Sequence, residues 1–243
     1  MIDNFIVVSD YNWLPDNIED SWVHKNFSNY LIYDKFHRFE ENDRVVKQKN
    51  VGQNHYDMFD FIVTNYDNLP EIIVFCRAAC IFPKDIGTPR RDLDGNVLSN
   101  GNCVMETFLE LASKKVFTEI QDFTSEPWRF NGHANKVGPE GGYMEANNSW
   151  YFGKHPGKYY SNYDTFMDDM YDDYTHVDWI RFSPGGNYVI PKAHILKYNK
   201  AFYERVREIM SWDIIIGETH MVERATYTIF VDNLTPKHKY RPI

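Results

Sequence analysis

The chain has 243 residues, of which 43% are hydrophobic, 25% charged and 16% aromatic, a balance that excludes wholesale disorder. A chain of this length can bury roughly 70–75% of its unfolded surface, and no long polar linker interrupts it, so we expect one domain over residues 1–243. Its 35 acidic and 26 basic residues give a net charge of −9, which argues against non-specific binding to nucleic acid or to anionic lipid.

The cysteine count and the apolar runs indicate a cellular location. The 3 cysteines are too few, and odd in number, for a disulfide framework, so a reducing compartment is expected. Residues 1–8 carry no basic leader and no cleavage site, and so predict no signal peptide. No stretch reaches the roughly 18 apolar residues of a membrane span. We therefore expect a cytoplasmic protein without a membrane span.

Apolar runs and helical patterns alternate in the first part of the chain. Residues 5–8, 30–33 and 71–76 predict strands, and the first run is typical of a buried central strand. A short helix is predicted over residues 15–25, and a longer one opens after residue 52 and ends before Pro70. This order predicts βαβ units around a largely parallel sheet. Such sheets bind ligands beyond the carboxyl ends of their strands.

The second part of the chain has a less regular pattern. In order, it predicts a loop or hairpin over 83–102, a helix over 107–117, a long aromatic loop region over 123–158, a helix over 163–174, two strands over 179–182 and 185–191 around a glycine turn, and helices over 195–212 and 218–230. The fold class predicted for the whole chain is α/β, with a mixed, mostly parallel sheet flanked by helices.

Several sequence blocks, covering about half the chain at its two ends, carry a resemblance. They are Val7-Val8-Ser9-Asp10-Tyr11-Asn12, Ile32-Tyr33-Asp34-Lys35, Asn50-Val51-Gly52, Asn65-Tyr66-Asp67-Asn68-Leu69-Pro70, Gly185-Gly186-Asn187-Tyr188-Val189-Ile190-Pro191-Lys192, Phe202-Tyr203-Glu204 and Glu218-Thr219-His220-Met221-Val222-Glu223-Arg224. In these blocks the chain resembles a little-characterised family of small glycosyltransferase-like proteins. Its relatives include sugar transferases of large algal DNA viruses, which look like the GT-A class.

The resemblance implies a single Rossmann-like GT-A-type domain that transfers a sugar from a nucleotide-sugar donor to a glycan or glycoprotein acceptor. It implies a nucleotide-binding part over about residues 1–100, an acceptor part over about residues 101–243, and a Mn²⁺ or Mg²⁺ ion. The chain departs from the family pattern at the strand over 71–76, which is followed by Arg77 where GT-A enzymes usually carry Asp-x-Asp. The only literal Asp-x-Asp is formed by Asp92 and Asp94, whose neighbours are equally typical of a turn. Arg77 could supply the positive charge instead.

The candidate donor-binding residues follow the predicted strands or open the long helix. They are Ser9, Asp10, Tyr11, Asn12, Asp34, Asn50, Gly52 and Arg77. After the first strand these side chains could hold a base or ribose, and Asp34 could accept hydrogen bonds from ribose hydroxyls. The start of the long helix could face a phosphate, and Arg77 could pair with one. Each has a structural alternative: a strand end or turn, a solvated loop acid, a helix cap or a salt bridge.

The resemblance also implies roles at the start of the last predicted helix. Glu218 would be the general base that deprotonates the acceptor, and a carboxylate at a helix N-terminus also simply favours the helix dipole. His220 would be a late metal ligand or a diphosphate contact, or a structural histidine. The alternative function is a non-catalytic carbohydrate-binding or assembly protein on the same fold, which Arg77 and the many aromatic residues make credible.

Overall fold

A computed structural model describes residues 1–82, 103–120, 135–137 and 142–240, and a six-stranded sheet organises them. The strands are β1 (Phe5–Asp10), β2 (Tyr30–Asp34), β3 (Val45–Lys47), β4 (Ile72–Arg77), β5 (Ile81–Phe82), β6 (Cys103–Val104), β7 (Thr118–Glu119), β8 (Asn135–Val137), β9 (Tyr143–Ala146), β10 (Trp179–Arg181) and β11 (Tyr188–Pro191). The α-helices are α1 (Trp22–Asn26), α2 (Gln53–Thr64), α3 (Met105–Ala112), α4 (Tyr163–Met170), α5 (Lys192–Ile195), α6 (Lys200–Ile209) and α7 (Gly217–Val231).

The main sheet has the strand order β3-β2-β1-β4-β11-β7. Its first four strands are parallel, whereas β11 runs antiparallel to both β4 and β7. The predicted α/β class with a mixed, mostly parallel sheet is therefore confirmed, and so is the central, buried position of β1. Because β1 to β4 run in one direction, their carboxyl ends meet at one edge, which we call the carboxyl edge.

Alternate side chains of the main sheet pack into two hydrophobic cores, one on each face. Val7 of β1 and Phe75 of β4 face the core that contains α2, α4, α6 and α7. Ile6 and Val74, one residue earlier on the same strands, face the core on the other side with α1 and α3. The period of two along each strand thus covers both faces of the sheet with helices, as a parallel sheet requires.

Several details differ from the sequence-based expectations, and α1 forms only the end of the helix predicted over 15–25. The prediction missed β3, because three residues are too short a run to stand out. The continuous helix predicted over 195–212 is wrong: α5 ends at Ile195 and α6 begins at Lys200, where the Asn199 side chain accepts a hydrogen bond from the backbone N–H of Phe202 (3.0 Å) as an N-cap. Ser9 and Asp10, expected in a loop, are the last residues of β1.

The two predicted strands around the glycine turn do not form a hairpin. β10 pairs with β9 in a separate three-stranded sheet, whereas β11 enters the main sheet between β4 and β7. Gly185 and Gly186, with φ of +86° and +65°, turn the chain from one sheet to the other. The main sheet thus takes strands from both predicted parts of the chain. None of the helices within the described ranges is long and apolar enough to cross a membrane.

Candidate functional site

The carboxyl edge brings together residues from distant parts of the sequence. Asp10 is in register with Asp34 on β2, and Ser9 is in register with Arg77 on β4. The turn that contains Gly185 lies beside Arg77, whose backbone N–H donates to the side-chain oxygen of Asn187 (3.1 Å). The helices α2 and α7 reach the same place, because side chains from the first turn of α2 and from the second turn of α7 contact this glycine turn, as described below.

Asp10 is fully buried, and protein groups bond both of its carboxylate oxygens. Oδ1 accepts hydrogen bonds from the backbone N–H groups of Trp13 (2.8 Å) and Leu14 (3.1 Å). Oδ2 lies 2.6 Å from a guanidinium nitrogen of Arg38. Asp10 therefore holds the loop after β1 in place, the structural alternative considered for it. Its predicted contact with a base or ribose remains a prediction.

Asp34 has a similar arrangement one strand away. Its Oδ1 accepts from the backbone N–H of Phe36 (3.1 Å) and its Oδ2 from that of Phe39 (2.8 Å). The side chain is buried, so it is not a solvated loop acid. Asp34 shapes the loop after β2, and its predicted contact with ribose hydroxyls also remains a prediction.

Below these loops lies a buried ion pair that the sequence analysis did not identify. The Lys35 ammonium is 2.5 Å from Oδ1 of Asp57, and both side chains are fully buried. The side chain of Ser9 lies close to the same carboxylate. Burial raises the pKa of Asp57 to about 7, against the opposing effect of Lys35. Asp57 is on α2 amid its apolar residues, so the chain pattern alone does not reveal the pair.

Tyr11 and Asn12 form the turn that leaves β1. Asn12 has φ +67°, in the left-handed region that Asn tolerates better than most residues. The Tyr11 hydroxyl is buried and finds no hydrogen-bond partner among the described residues. Burial and the negative charge of Asp57 raise its pKa, while the charge of Arg77 acts in the other direction. The hydroxyl therefore lies near Asp57 and Arg77 as a neutral group that can donate a hydrogen bond.

The start of α2 agrees with the prediction that a helix opens after Gly52. Gly52 caps the helix with φ +56°, and its N–H donates to the backbone oxygen of Asp213 (2.9 Å). A Cβ on Gly52 would lie 2.7 Å from the backbone oxygen of Met210, so the close approach of α2 to the end of α6 requires glycine. The side-chain oxygen of Asn50 is buried and finds no partner in the described part of the chain.

His55, in the first turn of α2, is the main residue that the sequence analysis missed. Its side chain is buried, and neither ring nitrogen has a hydrogen-bond partner within the described ranges. Burial lowers its pKa to about 4, so the ring is neutral at pH 7. A Cβ on Gly186 would lie 2.5 Å from Nε2 of His55, so the ring packs directly against the glycine turn. The neighbouring Asn54 donates to the backbone oxygen of Gly185 (2.9 Å).

Glu223, two turns into α7, contacts the same glycine turn. Its Oε1 accepts from the backbone N–H of Gly185 (2.6 Å), and its Oε2 lies 3.3 Å from Arg224 and 3.6 Å from Nδ1 of His220. Burial opposes ionisation of Glu223, but the nearby Arg224 and His220 outweigh it and hold the pKa below its usual value. Glu223 is thus a fixed negative charge beside neutral His55.

Glu218, the predicted general base, is fully buried at the start of α7. Its Oε1 accepts from the backbone N–H groups of Lys158 (2.6 Å) and Tyr159 (2.7 Å), while its Oε2 has no partner among the described residues. The hydroxyl of Thr219 and Nε2 of His220 are likewise buried without a described partner. The His220 ring stacks on His155, with 4.5 Å between the ring centroids. Protein groups thus hold one carboxylate oxygen of Glu218, and its predicted role as the general base remains a prediction.

The predicted metal site is only partly visible. Asp92 and Asp94 lie outside the described residues. Within the described ranges no group of three His, Cys, Asp or Glu side chains is arranged to hold a metal ion. His220 could contribute Nε2, which has no described partner. Comparisons of the chain with protein-family models, with curated proteins and with solved structures found no match.

Proposed function

We propose that the protein is a glycosyltransferase with a GT-A-type domain, which moves a sugar from a nucleotide-sugar donor to a glycan or other hydroxyl acceptor. One observation carries the proposal: the turn after β1 and the first turns of α2 and α7 each carry buried polar atoms without described partners. These atoms are Oη of Tyr11, both ring nitrogens of His55, Oε2 of Glu218, Oγ1 of Thr219 and Nε2 of His220. Buried polar groups are usually hydrogen-bonded, so these atoms favour a polar ligand that would supply the missing partners.

In this proposal the residues after the strands divide into two groups. Asp10 and Asp34 hold the loops, because protein donors already engage both oxygens of each carboxylate. Tyr11, Asn50 and Arg77 contact the donor, with Arg77 as the group whose charge suits a diphosphate. Ser9, beside the Lys35–Asp57 pair, and Gly52, at the start of α2, support these contacts. This division keeps the predicted edge but moves the donor contacts away from the two aspartates.

The proposed chemical step uses the start of α7. Oε2 of Glu218 accepts the proton of the acceptor hydroxyl, while Oε1 keeps the carboxylate oriented through its two backbone hydrogen bonds. A bound Mn²⁺ or Mg²⁺ would neutralise the leaving diphosphate. Asp92, Asp94 and His220 would hold it, and their residue types suit such an ion, since carboxylate oxygens bind both metals and imidazole binds Mn²⁺.

Two observations keep the non-catalytic alternative open as a second candidate. β4 ends at Cys76 and Arg77 without a carboxylate, and the described ranges contain no three-ligand metal group. A carbohydrate-binding or assembly protein would need neither. It would bind free glycan, but it would gain nothing from a nucleotide sugar.

Thermal unfolding with ligands separates the two candidates. We expect UDP- or GDP-sugars with Mn²⁺ to raise Tm, because a ligand that binds only the folded state stabilises it, by about 2.7 kcal/mol at one hundred times its Kd. The variant Tyr11→Phe removes only the orphaned hydroxyl and should reduce the shift. Its control Tyr33→Phe, on β2, loses a hydroxyl that bonds Asp60 instead (3.2 Å) and should keep the shift. A rise in Tm with free glycans, together with no rise with any nucleotide sugar, would favour the binding protein.

A further inference from the structure

A cavity of about 270 Å³ lies apart from the carboxyl edge, against the second half of α7. β10, the residues around Tyr174 and the part of α7 that contains Tyr227 and Thr228 line it. Glu218 and Tyr227 are separated by about 14 Å along the helix at 1.5 Å per residue, so the cavity is distinct from the candidate site. None of the site residues discussed above lines it.

The walls of the cavity combine aromatic rings with small polar groups. The rings are those of Tyr174, Trp179 and Tyr227, each only partly buried. The lining also includes Thr175, Thr228, Asp173 and Asp232. Both carboxylate oxygens of Asp173 already accept hydrogen bonds from Thr235. Rings present flat apolar faces, whereas hydroxyls donate and accept hydrogen bonds and carboxylates accept them. A ligand with an apolar ring face and several hydroxyls matches both kinds of group.

The charges around the cavity disfavour other ligand classes. Its cationic lining residue, Arg181, lies 2.9 Å from Glu119, and the two lining carboxylates would repel an anion. The same guanidinium lies 4.4 Å from the centre of the Tyr227 ring, so a cation already covers that ring and would repel a second one. A neutral ligand remains the best match for this environment.

The cavity volume limits the size of that ligand. Sites for drug-sized molecules and cofactors usually span about 300–1,000 Å³, so 270 Å³ suits one small ring better than a nucleotide. We propose that this cavity binds one sugar ring of a free glycan chain, as a carbohydrate-binding site separate from the proposed transfer centre. The site needs no nucleotide and no metal. It is independent of whether the protein transfers sugars.

The test is titration of the full-length protein with methyl glycosides of glucose, galactose, mannose, xylose and N-acetylglucosamine, followed by saturation-transfer NMR. We expect at least one glycoside to bind with a millimolar Kd, the range for a ligand of this size. Trp179→Ala should weaken binding about fivefold, since a ring contact of this kind is worth about 1 kcal/mol. Asp232→Asn, an exposed change that should leave folding intact, should weaken binding about threefold.

Matched controls locate the effect. Trp13→Ala and Asp43→Asn change an exposed tryptophan and an exposed aspartate that do not line the cavity, and both should leave Kd unchanged. Choline and inorganic phosphate serve as cationic and anionic probes and should not bind. The proposal is overturned if no glycoside binds saturably, if Trp179→Ala and Asp232→Asn both leave Kd unchanged, or if choline or phosphate binds in the cavity instead. Nucleotide release from a donor is assayed without free glycan, so the result for the proposed transfer activity does not depend on the result for glycoside binding in the cavity.

Discussion

The ammonium of Lys35 and the carboxylate of Asp57 lie 2.5 Å apart, and neither side chain is exposed to solvent. The pair joins the loop after β2 to α2, directly below the ends of β1 and β2. Above about pH 7, where Asp57 is ionised, removing one partner leaves the other as an uncompensated buried charge, which is usually strongly destabilising. The pair is therefore a structural support for the whole carboxyl edge.

The first prediction concerns the pH dependence of this pair. Burial raises the pKa of Asp57 from 3.8 to about 7 in the folded protein, so between these values the folded state holds a proton that the unfolded chain releases. The contribution of Asp57 to stability should therefore fall as pH rises from about 4 to about 7. We expect the unfolding free energy of wild type minus that of Asp57→Asn to be larger near pH 5 than near pH 8 in urea titrations. A difference that grows with pH would show that attraction to Lys35 outweighs burial.

His55 should have the opposite pH dependence. Its pKa is lowered from 6.5 to about 4 by burial, so the unfolded chain binds the proton first as pH falls. Stability should therefore be lost between about pH 6.5 and 4. We expect His55→Gln to lose less stability than wild type between pH 7 and pH 5 in the same urea titrations. An equal loss in both proteins would mean that the His55 ring is not held neutral.

The contact between His55 and the glycine turn predicts a steric effect. Gly186→Ala places a Cβ 2.5 Å from Nε2 of His55 and forces an alanine to adopt φ +65°. We therefore expect a loss of about 1–3 kcal/mol in unfolding free energy. Gly153→Ala is the matched control, because a Cβ there meets nothing within 4 Å. It should change stability by less than about 0.5 kcal/mol. Equal effects at both positions would contradict the packing described here.

The Asp10 and Arg38 pair predicts a loss of stability rather than of donor binding. Asp10→Asn weakens a 2.6 Å charged contact and should cost about 2 kcal/mol of unfolding free energy. Arg38→Met removes the same contact from the other side, so the double variant should lose clearly less than the sum of the two single losses. If Asp10→Asn leaves stability unchanged but weakens the Tm shift with nucleotide sugar, the carboxylate contacts the donor after all.

The sequence predicted those features of the fold that local patterns determine. The buried run at β1, the helix that opens after Gly52 and the helix around Glu218 each carry a clear period or cap, and the structure has them at nearly the predicted residues. The break between α5 and α6 was missed because an apolar stripe continues through Asn199. The placement of β11 was missed because sheet partners far apart in sequence leave no local signal.

The candidate site was harder to predict than the fold. Strand ends identified the edge at which these side chains meet, but they could not show that Asp10 and Asp34 turn inward to bond their own loops. His55 was missed because a histidine amid the apolar residues of a helix looks like a core residue. Only the approach of Gly186, more than a hundred residues away, reveals that it faces the same place as Glu223.

The most direct test of the central claim is nucleotide release from UDP- and GDP-sugars by wild type and by Glu218→Gln. Glutamine keeps an oxygen that can accept from Lys158 and Tyr159, so the variant should keep a Tm close to wild type. We predict that wild type with Mn²⁺ or Mg²⁺ releases nucleotide from at least one donor. The folded variant should release it at least about a hundredfold more slowly. No release from any donor by wild type, or equal release by a folded Glu218→Gln, would contradict this account.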